Sequence, residues 1–166
     1  MNAFKETLDS WQPFFTAQLG AAATLGGLLF VGLSLNLTKI LTYPALPTRA
    51  LMALILLLII LVVSSLILIP GQTASAIAVE ILAVGVIGWA SVTVMGLYIF
   101  RYAKLHRAGY FGNMVILQLA ALPYVVGGAL LLGGNSSGLY FVSLGVIVSF
   151  VKAMLDAWVL LVEINR

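Results

Sequence analysis

Apolar residues in this chain fall in long, nearly uninterrupted runs, unlike the short alternating or helical stripes of a domain folded in water. A bilayer core takes about 20 apolar residues per helix. Five runs reach that length, at about 17–37, 50–69, 76–100, 114–133 and 139–163. The breaks between them carry helix-ending residues. Tyr43-Pro44-Ala45-Leu46-Pro47 parts the first two runs, because each proline disfavours helix in the residue before it. Pro70-Gly71-Gln72 reads as a turn, Arg101 to Asn113 is polar, and Gly133-Gly134-Asn135-Ser136-Ser137-Gly138 reads as a short hairpin. The pattern predicts an all-α fold, one domain over residues 1–166, built as a single bundle of five transmembrane helices. No repeat of 20–50 residues is visible.

Ahead of the first run, Phe4, Leu8, Trp11 and Phe15 recur at helical spacing, with Pro13 interrupting. They predict a short N-terminal helix lying in the membrane interface, anchored by its aromatics. The plainer alternative is a tail with one interfacial tryptophan. The first ten residues are polar and no basic flank precedes the first apolar run, so that run is expected to be a retained span.

Composition narrows the class. The chain of 166 residues is 63% hydrophobic and 8% charged, with a mean hydropathy of +1.18. A soluble domain of this size could not hide so much apolar surface. The net charge of +3 comes without a basic patch interleaved with aromatics, so no nucleic-acid partner is expected. Cysteine is absent, which excludes disulfides, thiol catalysis and Cys-ligated clusters. His106, the only histidine, has no companions for a metal site. No nucleophile elbow, phosphate loop, zinc-protease helix or dinucleotide fingerprint is present, so neither an enzyme nor a cofactor is expected.

The remaining charges report topology. With five spans, Lys39, Arg49, Arg101, Lys104, Arg107 and Arg166 fall on one side, against Lys5 on the other. Six against one is a positive-inside imbalance that predicts an outer N-terminus and a cytoplasmic C-terminus. Arg101, Lys104 and Arg107 should meet anionic lipid headgroups, at about 1 kcal/mol per basic residue. Asn135-Ser136-Ser137 matches the glycosylation pattern, in a turn too short and too near the membrane for modification to follow.

The strongest lead lies in the fifth run. At 100° per residue, Gly145, Ser149, Lys152, Asp156 and Glu163 fall in one stripe. Ionisable groups within a membrane are costly, and they usually pair or face water or partner helices. Lys152 and Asp156 stand at i,i+4, though Lys before Asp is the less favourable order on an isolated helix. Two readings stay open. The stripe is an ion pathway, with Lys152 attracting an anion or linking to a proton, or it is an interhelical network that sets register or assembly. Glu80, about one turn into the third span, is either an outer vestibule acid or a carboxylate reaching the interface.

Other faces are small or polar. Gly20, Ala23, Thr24, Gly27, Val31 and Ser34 line one side of the first span, and Gly85, Gly88, Val92 and Gly96 one side of the third. Small residues let helices approach closely, so these faces, with Gly145, are candidates for packing within the bundle, a subunit interface or a conduit lining. Gln18, Asn36 and Gln118 are expected to donate hydrogen bonds between helices. Pro123, with Gly127 and Gly128 after it, should kink the fourth span and free backbone carbonyls.

The runs WQPFF, GAAATLGGLLFVGLSLNL, LPTRA, IPGQ and AWVLLVEI, spread over most of the chain, resemble small bacterial multi-pass membrane proteins of unassigned function. That resemblance implies a bacterial inner-membrane setting and transfers no functional residues. From the residues themselves, the leading expectation is a homo-oligomeric channel or passive transporter for small ions, with Lys152 attracting the ion. The alternative is a non-transporting regulator, assembly factor or scaffold for another membrane protein.

Overall fold

In the computed structural model, residues 2–42, 46–102 and 107–164 are described, and all their regular elements are helices. These are α1 (Asn2–Leu35), α2 (Leu37–Thr42), α3 (Leu46–Ile67), α4 (Ala74–Tyr102), α5 (Arg107–Leu132) and α6 (Gly138–Ile164). Five of them, all but α2, are long and apolar enough to cross a membrane. Runs such as Ile59-Ile60-Leu61-Val62-Val63 carry strand propensity in water. A lone span in lipid satisfies its backbone only as a helix.

The turns follow their residues. At the end of α5, Asn135 N–H donates to Leu130 O at 2.9 Å and Gly134 N–H to Leu131 O at 2.9 Å. This is a Schellman cap, and Gly134 supplies its left-handed residue at φ 78°. Gly71 takes the same φ in the α3–α4 turn. Thr73 then caps α4, its Oγ1 accepting from Ala76 N–H at 3.2 Å. The α3–α4 and α5–α6 turns lie with the start of α1 at one end of the molecule, here the hairpin end.

α3 is apolar on every side, and it is the central element, packing against α1, α4 and α6. α4 and α5 pack closely on each other, as do α5 and α6. Glycines set those approaches. A Cβ on Gly128 would lie 2.7 Å from the backbone nitrogen of Leu82, and one on Gly127 would lie 2.7 Å from Gly138 O. A smaller cluster of Ile40, Leu46, Ala50 and Leu160 closes the opposite end.

Two expectations meet a different structure. The N-terminal stretch is not a separate short helix: α1 runs continuously through Pro13. Its apolar face does not lie free. Phe15 is buried, and Phe4, Leu8, Trp11 and Phe14 pack on the main core. Trp11 meets Tyr140 of α6 edge to face, with ring centroids 4.9 Å apart. That packing offsets the helix bond Pro13 cannot make. The first span also stops sooner than 37, with a turn at Asn36 before α2. α5 is one helix through Pro123, as a kinked helix also is. The proline-bearing segment at 43–45 lies outside the described residues.

Candidate functional site

Four members of the α6 stripe point into the chain. Gly145, Ser149, Lys152 and Asp156 are all buried, while their neighbours Leu144, Val151 and Leu155 are exposed. Lys152 Nζ donates to Asp156 Oδ2, and the two side chains are 2% and 7% exposed. The expected weakness of the Lys-before-Asp order does not prevent pairing here. That ranking comes from exposed helices, where water competes for both charges. In a buried site the competing water is removed, and an unpaired charge would cost far more than an imperfect rotamer.

One turn toward the hairpin end, the stripe becomes a set of neutral hydrogen bonds to α5. Ser149 Oγ donates to Ala120 O at 3.2 Å and receives Tyr124 OH at 3.3 Å. Tyr124 is fully buried, and its ring lies over Gly145, where a Cβ would come within 3.0 Å of ring Cε2. Glycine at 145 therefore makes room for the ring whose hydroxyl reaches Ser149. Arg49 is half-buried on the first turn of α3. Glu163 is helical, with its side chain outside the described residues.

The other sequence candidates are distributed elsewhere. Glu80 is half-buried on α4, where its Oε2 accepts Gln72 Nε2 at 2.9 Å. Gly85 lies against the backbone of Tyr124 and Val125, Gly88 against Ile59, and Gly96 against Met114 and Leu117. Gly20, Gly27 and Ser34 take the exposed side of α1, where a Cβ on either glycine would meet nothing within 4 Å. Ser34 Oγ and Thr24 Oγ1 donate to carbonyls one turn back on α1, both at 2.8 Å. Arg101 and Arg107 are helical with side chains outside the described residues, and Lys104 and His106 lie outside them altogether.

Of the long polar groups, Gln118 does bridge helices. Its Oε1 accepts Trp89 Nε1 at 2.6 Å, and its Nε2 donates to Thr93 Oγ1 at 3.1 Å. Asn36 instead donates to Gly32 O, on its own helix side, at 3.0 Å. Sequence reasoning passed over Tyr124, Trp89, Thr93 and Ser64. Tyr124 could have been suspected, because a phenol deep in an apolar run needs a partner. Ser64 on α3 is fully buried, and its Oγ has no partner among the described residues.

Chemically, the stripe supplies a closed ion pair followed by a chain of hydroxyls ending on a backbone carbonyl. Comparison of the chain with protein-family models, with curated proteins and with solved structures finds no match.

Proposed function

We propose that this chain is a multi-pass integral membrane protein, in a bacterial inner membrane, that works by helix association as an assembly or scaffolding partner. Its five helices form one bundle, with the hairpin end outside. The observation that carries the reading is that the Lys152–Asp156 pair closes on itself inside the chain, with both side chains almost wholly buried. A conduit needs charges that an ion can reach and leave. A pair that neutralises itself within α6 instead lets that face pack inside the chain without an unpaired charge. A small-residue surface open for association is on α1, whose Gly20, Gly27 and Ser34 face outward. Close packing against a second membrane helix suits such a face.

The test uses the absence of cysteine. Single cysteines at Gly27 or Ser34 in the membrane-reconstituted protein should form disulfide-linked dimers or trap a partner, whereas Leu58→Cys on α3 should not. In the same proteoliposomes, ion flux under an imposed potential should match that of empty vesicles. Flux above that level that changes in Lys152→Met, at equal incorporation, would restore the channel reading and put Lys152 on the route.

A further inference from the structure

An apolar groove of about 260 Å³ lies between the second half of α1 and the end of α6, away from the hairpin end. Leu25, Leu29 and Leu33 form one wall, and Met154, Ala157 and Trp158 the other. From Leu25 to Leu33 the α1 wall runs about 12 Å at 1.5 Å per residue. The groove stops where Leu33 packs on the end cluster of Ile40, Leu46, Ala50 and Leu160. A slot this short and closed at one end suits a hydrocarbon chain better than a helix, which needs a longer track. Charge then marks what stands at its closed end. Lys39 is exposed beside Ile40 on α2, and Arg49 is half-buried beside Ala50 on α3. Each takes part in a further interaction of the chain. With three donors on lysine and five on arginine, one contact exhausts neither. Of the five acidic residues, Glu6, Asp9 and Glu80 belong to the hairpin end, and Asp156 is closed on Lys152. Glu163 has its side chain outside the described residues. Among the described side chains, the charge left at this end is therefore positive.

We propose that this groove holds one acyl chain of an anionic phospholipid, whose phosphate head lies at Lys39 and Arg49. A phosphate diester offers acceptor oxygens and a negative charge to two cations that carry only donors. A zwitterionic head brings its own ammonium, which competes with them for that phosphate. Trp158, exposed on the α6 wall, is of the residue type enriched at headgroup level. The positive-inside imbalance predicts that this end is cytoplasmic, the leaflet in which anionic lipid attracts basic residues. The groove uses the side of α1 opposite Gly20, Gly27 and Ser34, so the site does not depend on the assembly reading.

Native mass spectrometry of the full chain, released from detergent micelles, counts bound lipid directly. The probes are phosphatidylglycerol and phosphatidylcholine with identical acyl chains, offered one at a time. The first phosphatidylglycerol should be retained about thirtyfold more than phosphatidylcholine, the worth of two basic residues beside an anionic head. Lys39→Gln, at an exposed position, should cut that ratio about fivefold. Lys39→Gln with Arg49→Gln should abolish it. Gly32 also lines the groove, and a Cβ there would meet nothing within 4 Å. Gly32→Leu should therefore fill the slot and lower retention of both lipids by a similar factor, with an unchanged or raised melting temperature by circular dichroism. Equal retention of the two lipids, or an undiminished preference in Lys39→Gln, would overturn the proposal. So would retention untouched by Gly32→Leu, which would put the lipid outside the groove.

Discussion

Lys152 and Asp156 are worth more to each other than to the fold. Removing one partner of a buried pair strands the other charge, at a cost of about 3–5 kcal/mol, whereas replacing both with apolar residues is often neutral. Lys152→Met alone should therefore lower stability by roughly that amount, and Lys152→Met with Asp156→Leu should recover most of it. Thermal unfolding in detergent measures both, and equal losses in the single and double variants would show that the pair does more than neutralise itself. Ser64 gives the opposite expectation. Its buried hydroxyl has no partner among the described residues, so Ser64→Ala should be neutral or stabilising by about 1 kcal/mol. A loss of stability would reveal a bound water or other partner. The charged stripe was legible from 3.6-residue periodicity, because Gly145, Ser149, Lys152 and Asp156 share one face whatever surrounds them. Tyr124 was not legible as its partner, since periodicity within α6 carries no information about which residue of α5 stands opposite.

At the scale of elements, the glycines divide into two populations that composition cannot separate. Those of α4, α5 and α6 at positions 85, 88, 96, 127, 128, 138 and 145 have another helix where a Cβ would sit. Those of α1 at 20, 26, 27 and 32 have open space. Gly128→Ala should destabilise by about 1–3 kcal/mol, because its new methyl meets the Leu82 backbone, which has little room to yield. Gly27→Ala should leave the monomer unharmed or gain up to about 1 kcal/mol from helix propensity. Melting curves of the two variants side by side would check this, and similar losses in both would mean that α1 is already packed against something. α1 also differs in length. Its 34 residues extend about 50 Å at 1.5 Å per residue, well beyond a hydrocarbon core of about 30 Å. The excess is held by Phe15 in the core and Trp11 on Tyr140.

For the whole molecule, orientation is the most direct expectation. Six basic residues against one predict that the hairpin end is outside. A single cysteine at Ser136, in the exposed α5–α6 turn, should react with a membrane-impermeant maleimide added to intact cells. A cysteine at Thr42, exposed at the other end, should react only after the membrane is opened. The reverse labelling pattern would invert the protein. The proposed assembly through α1 belongs to this scale too, because none of the described residues meets a Cβ placed on its Gly20 or Gly27.

The amino-acid sequence by itself determined the class of element, the number of long apolar helices and the approximate position of their ends. Those depend on local quantities: the length of an apolar run, the missing N–H of proline and the φ freedom of glycine at 71 and 134. It also placed the ionisable residues of α6 on one face. Only the tertiary structure decided that α3 is central, that Pro13 lies within a continuous α1, and that the N-terminal aromatics pack on the core. It likewise decided that Lys152 closes on Asp156 beneath a Tyr124–Ser149 contact. The physical reason is that, in a chain this apolar, most faces of the spans are hydrophobic enough for lipid. Hydropathy then cannot rank the ways of packing them, and the choice falls to close fit at glycines and to a few polar groups that must find partners.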